Sequence, residues 1–280
     1  MQLFKVSSDL RVYLAAARRE RKTIGFVPTM GALHEGHLSL IEASRRANDL
    51  TVCSIFVNPI QFNNPEDLEK YPRTLDNDRA LLEAAGCDVV FAPSAAEMYP
   101  TPPVLSLGFG ALETVMEGTF RPGHFNGVGL VVARLFHLVQ PDRAYFGQKD
   151  LQQVAVVRRL VQDLAFPIEV VSCPTLREAD GLAMSSRNRR LSPEQRGQAS
   201  LLSEVLQQAK NSFLNGHSVE DVKAHLRNRL AAFPNFNLEY FEIVHAQTLQ
   251  PVTEEQEPGA TALCVAAYLG PVRLIDNLVF

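Results

Sequence analysis

Several features that mark secreted, membrane-spanning or nucleic-acid-binding proteins are missing from this sequence of 280 residues. The four cysteines lie far apart with no C-x-x-C pair, so we expect neither disulfides nor a zinc site, and we expect a cytoplasmic location. The apolar runs are much shorter than the roughly 18 residues that a membrane span needs, and the first residues lack a signal-peptide pattern. The formal net charge of −4 provides no general attraction to nucleic acids or membrane surfaces, so we expect neither as a partner.

What the sequence does contain is an alternation of strand-like and helix-like segments. Apolar runs predict strands at 22–27, 50–57, 88–92, 144–146 and 167–171, and helical spacing predicts helices at 37–49, 74–86 and 150–164. This order is typical of an α/β protein with a doubly wound parallel sheet. Beyond residue 175 the alternation stops, and two helices followed by two strands predict a smaller α+β domain. We therefore expect a first domain over 1–175 and a second, lid-like domain over 176–280.

The segment PTMGALHEGH (residues 28–37) follows the first predicted strand and carries His34 and His37. In an open parallel α/β sheet, ligands bind beyond the carboxyl ends of the strands, where this segment lies. If a helix begins near Gly36, its unpaired N–H groups and the positive end of its dipole favour a phosphate there. Gly31 and Gly36 let the backbone approach a ligand closely because they have no Cβ atom. The segment predicts a nucleotide site in which both imidazoles donate hydrogen bonds to phosphate oxygens.

Two other interpretations of the histidine pair stay open from the residues alone. An isolated H-x-x-H supplies only two ligands to a zinc ion, which makes a metal site the weaker alternative. The plainer alternative is that His34 is a loop residue and His37 an ordinary residue at the start of a helix, with no ligand. The surrounding strand, glycine-containing loop and helix favour the phosphate interpretation.

Residues 28–37 resemble the H-x-G-H signature of the nucleotidyltransferase superfamily, and other segments extend the resemblance to the pantoate–β-alanine ligase family. In the order of that family, the segments are FVNPIQF (56–62), YPRTLDND (71–78), EGTFRPGHFNGV (117–128), YFGQKD with Gln153 (145–153), SSRN (185–188) and RLIDN (273–277). The resemblance covers almost the whole chain. Gln148 stands where the family more often has Glu, and Asn126 where a charged residue is commoner. Neither departure removes a group that we assign to chemistry.

The resemblance implies a Rossmann-like doubly wound fold and a two-step ligation. ATP and (R)-pantoate would first form pantoyl adenylate and pyrophosphate, with Mg²⁺ present. The amine of β-alanine would then attack the adenylate and release pantothenate and AMP. The resemblance also implies a homodimer, and the metal ligands stay unassigned.

The same resemblance implies which residues form the site. Three side chains are expected to be catalytic: His34, His37 and Lys149. The residues expected to bind ATP are Met30, Gly31, Ala32, Leu33, His34, Glu35, Gly36, His37, Gly147, Gln148, Lys149, Asp150, Leu176, Met184, Ser185, Ser186 and Arg187. Those expected to bind pantoate and β-alanine are Pro28, Met30, Gln61, Phe62 and Gln153.

Each of these residue types suits the reaction, and each also has a plainer explanation. Lys149 offers a mobile positive charge to phosphate, with a solvated surface lysine as the alternative. The neutral amides of Gln61 and Gln153 can bind a carboxylate without a strong ion pair, which matters because that carboxylate must attack. An exposed helix position is the alternative for Gln153. The polar segment around Ser185 and Arg187 can close over phosphates as a lid, or it can be an ordinary linker.

Two further candidates have nearly balanced explanations. Phe62 is expected to enclose the geminal dimethyl group of pantoate together with Pro28 and Met30, or else to pack in the core. Asp150 can bind ribose, orient Lys149 or touch Mg²⁺, although an acidic residue at a helix start is favoured by the helix dipole without any function.

Four polar residues have possible roles but are not assigned to one. Arg121 and His124 lie in a predicted Gly/Pro loop, where they can order the site or bind the carboxylate of β-alanine. A turn salt bridge explains Arg121 equally well. Asp76 and Asp78 can hold Mg²⁺ indirectly, although helix N-capping is the simpler explanation.

Two rival functions remain. Another adenylyltransferase of the same superfamily would keep the histidine motif but has no reason for FVNPIQF or RPGHF. A non-catalytic nucleotide sensor on the same fold is disfavoured by the joint presence of both histidines, Lys149 and the serine pair. Pantoate-dependent exchange between pyrophosphate and ATP, without β-alanine, separates the three, because a sensor shows none and the rival transferase needs another substrate.

Overall fold

The predicted strands of the first part of the chain are hydrogen-bonded into one parallel sheet. The computed structural model describes residues 1–254 and 256–280. The strands of this sheet are β1 (Gln2–Phe4), β2 (Ile24–Thr29), β3 (Leu50–Ile55), β4 (Val89–Phe91), β5 (Arg143–Gly147) and β6 (Glu169–Cys173). They pair in the order β1–β4–β3–β2–β5–β6, every pair parallel, which confirms the predicted doubly wound α/β fold.

Helices connect these strands. They are α1 (Ser7–Arg19), α2 (Glu35–Ala47), α3 (Pro65–Glu69), α4 (Leu75–Ala84), α5 (Ala95–Met98), α6 (Glu117–Phe120), α7 (His124–Val139) and α8 (Leu151–Asp163). On α2, Leu40 and Ile41 are buried while Glu42, Arg45 and Arg46 are exposed. An apolar stripe with this spacing holds a helix against a sheet, as the sequence predicts.

The sheet has its topological switch point between β2 and β5. From β2 the chain runs through α2 to β3 on one side, and from β5 it runs through α8 to β6 on the other. The carboxyl ends of β2 and β5 therefore border a crevice, and open α/β sheets bind their ligands in such crevices. The segment that carries His34 and His37 leaves β2 at this edge.

Pro28 lies inside β2, although a proline at this position predicts that the strand ends before it. It pairs in register with Ser54 of β3, whereas β5 pairs only with Gly25 and Phe26. At Pro28 only β3 is hydrogen-bonded to β2. On the side of β5 there is no strand to pair with, so proline, which has no N–H, loses no hydrogen bond there. The proline therefore extends the strand toward the ligand edge.

The loop predicted around His124 is wrong, because His124 is the first residue of the 16-residue helix α7. The residue before it, Gly123, is the N-cap and has a φ of 77°, a conformation that glycine adopts without strain. The Gly/Pro signal is therefore confined to the entry of a helix. Two N-terminal elements, β1 and α1, likewise lie outside the predicted pattern.

Residues 1–147 and 156–173 form one compact unit, and residues 148–155 and 174–280 form a second. The expected boundary falls after residue 175, and the second unit in addition includes the turn and first helical residues after β5. Its sheet is antiparallel, with strands β7 (Phe236–His245), β8 (Thr261–Leu269) and β9 (Val272–Val279) paired in that order. Its remaining helices are α9 (Pro193–Gln198), α10 (Leu201–Leu214) and α11 (Val219–Ala231).

The second unit confirms the predicted C-terminal α+β architecture, with two refinements. β9, which carries the RLIDN segment, is a third strand beyond the two that the sequence predicts. The first of the two helices predicted beyond residue 175, which the sequence pattern extends over 193–216, is two helices, α9 and α10. Buried apolar residues of α10, α11 and the sheet, among them Leu206, Leu226 and Val265, form one core. Within the described residues, no helix is both long and apolar enough to cross a membrane.

All four cysteines are reduced and buried. Burial raises the pKa of Cys87 to about 12, and it raises the pKa of Cys53 well above the ordinary value. Burial also raises the pKa of Cys173. Because the thiolate is the reactive form, these cysteines behave as small apolar core residues.

We expect the native protein to resist alkylation by iodoacetamide at pH 8, because all four thiols are buried. Intact-mass spectrometry should show little carbamidomethylation of the folded protein and complete modification after unfolding in urea. Labelling of the folded protein at the rate of the unfolded chain would contradict this assignment.

Candidate active site

The turn between β2 and α2 carries both candidate histidines. α2 begins at Glu35, one residue before the predicted start, and His34 is its N-cap residue with an extended backbone. His34 and His37 are both half-buried, and their ring centroids lie 4.1 Å apart. The structure thus places two imidazoles side by side at the start of a helix, on the ligand edge of the sheet.

The backbone N–H groups of this turn are hydrogen-bonded to side chains of the protein itself. The bonds run from Gly31 N to Thr29 Oγ1 (3.2 Å), Ala32 N to Asp78 Oδ2 (3.0 Å), Leu33 N to Asp78 Oδ1 (2.8 Å), His34 N to His37 Nδ1 (3.4 Å) and Gly36 N to His34 Nδ1 (3.2 Å). A phosphate-cradling loop presents such groups to its ligand instead. The expectation that unpaired N–H groups at this helix start seat the phosphate is therefore wrong for these groups. These five N–H groups are engaged within the protein.

The same bonds decide which ring nitrogen of each histidine can donate. Nδ1 of His34 accepts from Gly36, and Nδ1 of His37 accepts from His34, so neither Nδ1 carries a proton in this arrangement. The proton of each neutral ring is then on Nε2. Each imidazole becomes a hydrogen-bond donor of defined orientation, at a helix end whose dipole favours anions.

Asp78 holds the loop that precedes α2. Its carboxylate is fully buried and accepts from the N–H groups of Ala32 and Leu33 and from the Thr74 hydroxyl, the latter at 3.2 Å. Ala32 has a φ of 51°, which residues with a Cβ atom rarely adopt, and the charged acceptor stabilises this conformation. Thr74 is the N-cap residue of α4, so the simple capping explanation for Asp78 is wrong.

Gln61 lies at the end of a short 3-10 turn, Pro59–Gln61, just beyond β3, and it is buried. Its Nε2 donates to the Met30 sulfur at 3.2 Å, and its Oε1 accepts from Asn58 Nδ2 at 3.1 Å. The amide is thereby oriented with its NH₂ group toward Met30. Two of the predicted pantoate-binding residues, far apart in the sequence, are in direct contact.

Asn58 and Tyr99 orient this amide, although the sequence interpretation assigns them no role. The Tyr99 hydroxyl donates to Asn58 Oδ1 at 3.0 Å, and Asn58 Nδ2 also donates to the Gly127 carbonyl at 3.1 Å. Burial raises the pKa of Tyr99 to about 12, so its hydroxyl keeps its proton at neutral pH and remains a donor. An Asn directly before Pro59 is a turn signal that points to Asn58, whereas no local pattern indicates Tyr99.

α7 packs directly on the turn that holds Gln61. A Cβ atom on Gly127 would lie 2.7 Å from Gln61 Cα, so this approach requires glycine. His124 Nδ1 donates to the Gln61 carbonyl oxygen at 2.8 Å, and His124 thus orders the site through the backbone of Gln61. Arg121 is 3.6 Å from the carboxylate of Glu117, which is the turn salt bridge that the sequence allows.

Phe62 packs edge-on against Tyr71, with ring centroids 5.7 Å apart, and is half-buried, as are Pro28 and Met30. A cavity of about 360 Å³ lies beside Met30 and is lined mainly by apolar side chains that follow β3 and β4. Neither the two histidines nor Gln61 lines it. Met30 and Gly31 line it, so the hollow borders the start of the loop that carries the histidines.

In the second unit, the chain continues from Gly147 into a 3-10 turn, Gln148–Asp150, and then into α8. Lys149 is half-buried and Asp150 is exposed. Gln153, in the first turn of α8, is half-buried, so the alternative of a fully exposed helix residue does not describe it.

The other ATP-binding candidates lie on a short hairpin of the second unit. The Met184 N–H donates to the Leu176 carbonyl at 3.0 Å and closes the hairpin. Ser185 caps the 3-10 turn Ser186–Arg190, because its hydroxyl accepts from the Arg187 N–H at 3.3 Å. The segment is therefore locally organised, which an unstructured linker is not.

Comparison with known proteins identifies the family. The family model for pantoate-beta-alanine ligase matches residues 2–279. The chain belongs to the pantoate–β-alanine ligase family. The pantothenate synthetase of Cytophaga hutchinsonii is 50% identical over 275 residues, covering 97% of this chain and 96% of the relative. That of Moorella thermoacetica is 48% identical over 280 residues, covering 100% of this chain and 98% of the relative.

Solved structures of the ligase family agree with this assignment. Pantothenate synthetase from Thermus thermophilus superposes with a TM-score of 0.93 at 48% identity, covering 99% of each chain. A pantoate-beta-alanine ligase from Francisella tularensis, complexed with beta-gamma ATP and beta-alanine, has a TM-score of 0.83 at 34% identity, covering 100% of this chain and 97% of that one. The protein is a ligase of pantothenate formation, and the rival functions of transferase and sensor are set aside.

We expect Asp78→Asn to lower the free energy of unfolding by about 1–3 kcal/mol, because an amide can accept from only one of the two loop N–H groups and opposes the other with its own NH₂. Urea unfolding measures the change. Asp76→Asn, at an exposed position of the same helical turn, is the matched control and should change the free energy by about 0.5 kcal/mol or less. Equal losses in both variants would refute the role of Asp78.

Proposed function

We propose that this enzyme joins (R)-pantoate to β-alanine through a pantoyl adenylate, with ATP as the activating substrate. A carboxylate oxygen of pantoate attacks the α-phosphorus of ATP, and the bond from that phosphorus to pyrophosphate breaks. The amine of β-alanine then attacks the acyl carbon, loses a proton and displaces AMP. The proposal rests above all on the paired imidazole donors at the start of α2, in a chain that matches the family over nearly its whole length.

His34 and His37 are proposed to bind the phosphates through Nε2–H, and His37 to donate to the departing pyrophosphate. Their Nδ1 bonds to the backbone support this role, because they hold the donors in place before ATP arrives. We keep the whole loop from Met30 to His37, including Glu35 and Gly36, as the ATP-binding segment. The N–H groups of Ala32 and Leu33 are bonded to Asp78, so these two residues shape the loop and do not donate to ATP.

Gln61 is proposed to bind pantoate through its NH₂ group, with Met30, Pro28 and Phe62 enclosing the methyl groups. A neutral donor suits this task, since an ion pair would stabilise the carboxylate before attack and raise the barrier. Burying the two methyl groups contributes on the order of 1–2 kcal/mol. Gln153 is proposed as a second amide for pantoate.

The second unit is proposed to supply the remaining ATP contacts. Lys149 provides a positive charge for the phosphates, and Ser185, Ser186 and Arg187 provide hydroxyl and guanidinium donors. Further contacts with the nucleotide are assigned to Gly147, Gln148, Asp150, Leu176 and Met184. Because phosphoryl transfer is mainly a matter of positioning and charge neutralisation, these groups can act without a covalent intermediate on the protein.

Mg²⁺ is proposed to enter with the triphosphate. The described part of the chain holds no cluster of three or more His, Cys, Asp or Glu side chains for a metal ion. Asp78, one of the acids considered for this role, is engaged by two backbone N–H groups and a hydroxyl. No protein ligand is therefore assigned to Mg²⁺, which in such sites usually binds substrate phosphates, water and one or two carboxylates, and no step is assigned to the ion. A homodimer and a cytoplasmic location are proposed from the family resemblance and the cysteine pattern.

The test is pantoate-dependent exchange of labelled pyrophosphate into ATP without β-alanine. We expect exchange by the wild type and a loss of about 10²–10³ in rate for His37→Ala, because one preorganised donor is removed. Gln61→Ala should raise the pantoate concentration needed for half-maximal exchange and leave the requirement for ATP nearly unchanged.

His225→Ala on α11 and Gln208→Ala on α10 are the matched controls, since both positions are exposed. Wild-type exchange in the controls and loss in the site variants supports the proposal. Absence of exchange in the wild type, or full exchange in His37→Ala, would overturn it.

A further inference from the structure

The RLIDN segment of β9 has no role in the reaction described above, yet its last residue reaches the turn that carries Lys149. We propose that Asn277 is a positioning residue for Lys149: it holds the backbone of the Gln148–Asp150 turn so that the ammonium group meets the ATP phosphates. The inference rests on the proposed role of Lys149 and extends it to a residue more than a hundred positions away in the sequence.

The contact is made by one buried amide with two neighbouring carbonyls. Asn277 Nδ2 donates to the carbonyl oxygens of Gln148 and Lys149, both at 2.9 Å. Asn277 is buried, with 3% of its surface exposed. Both protons of the amide are therefore used on a single turn of backbone, in an environment where each bond is little weakened by water.

The orientation of this amide follows from its partners. A flipped amide would place Oδ1 against two carbonyl oxygens, all three of them acceptors, so the NH₂ group must face the turn. Oδ1 is buried and has no hydrogen-bond partner among the described residues. Burying an unpaired acceptor costs free energy, which the two bonds to the turn must offset.

The backbone of Asn277 is itself held in place by an ion pair between the buried Asp276 and the half-buried Arg177. The Asn277 N–H donates to Asp276 Oδ1 at 2.7 Å, and Arg177 makes a two-pronged contact with Asp276 at 2.7 and 3.0 Å. Arg177 also donates to the Asn277 carbonyl at 3.1 Å. A bidentate Arg–carboxylate pair allows little rotation, so the strand position that carries the amide is rigid.

Arg177 in turn belongs to the hairpin that carries the other ATP-binding candidates. It pairs with Ala183 across the hairpin, between Leu176 and Met184. Asp276 and Asn277, adjacent on β9, thus hold the hairpin and the Lys149 turn respectively. Both sets of proposed phosphate contacts in the second unit depend on these two adjacent residues of β9.

Asn277→Asp tests this role because aspartate has the same shape but no donors, and its charge opposes both carbonyls. We expect the rate of pyrophosphate exchange at saturating pantoate to fall about tenfold or more. Asn237→Asp, the same substitution at an exposed position of β7, is the matched control and should leave exchange unchanged. Asn277→Ala, which removes the donors without adding charge, should also lower exchange if the aspartate variant fails to fold.

A double-mutant cycle with Lys149→Ala separates positioning from general destabilisation. If Asn277 acts through Lys149, adding Asn277→Ala to Lys149→Ala should change exchange by less than about twofold, whereas Asn277→Ala alone costs much more. Equal costs in both backgrounds would overturn the inference and leave the role of Lys149 intact. Full exchange in Lys149→Ala would instead overturn the proposed role of Lys149 and this inference with it. Thermal unfolding of each variant reports its folded state.

Discussion

The site depends on how the polar backbone groups between β2 and α2 are satisfied. The turn leaves the sheet with several N–H groups that no strand or helix can pair, and buried groups of this kind must find acceptors. The acceptors are side chains: the carboxylate of Asp78 and the Nδ1 atoms of His34 and His37. Because the imidazoles are used in this way, their donor nitrogens are defined. The chemistry proposed for the site follows from a backbone requirement.

In the second unit, the roles of donor and acceptor are reversed. There the unpaired groups are carbonyls, those of Gln148 and Lys149, and the side chain that satisfies them is a donor, Asn277. In both units a segment proposed to contact ATP is anchored by a buried polar residue distant in sequence. Such anchors hold a loop before the ligand binds, so less ordering remains to oppose binding. This gives the buried polar residues Asp78 and Asn277 a role outside the reaction itself.

Local patterns were sufficient where one residue type has one strong preference. Buried apolar runs predicted β2 to β6 because a parallel sheet covered on both faces needs such runs. Helical spacing likewise predicted α2 and α4. The patterns failed where a signal has two explanations: Pro28 is compatible with a strand that has one neighbour, and the glycines before α7 mark a helix entry as readily as a loop. The strand β9 was not predicted, because RLIDN alternates only weakly between apolar and polar residues.

The sequence alone determined the fold class and, through segments spread over the whole chain, the family and its reaction. It also placed His34, His37 and Gln61 at strand ends, because the position of a residue relative to a strand is a local property. Only the tertiary structure decided which groups orient them. Asp78, Tyr99 and Asn277 act through hydrogen bonds across long stretches of chain, and no local pattern records which buried donor meets which acceptor. That pairing exists only once the strands have taken their order in the sheet.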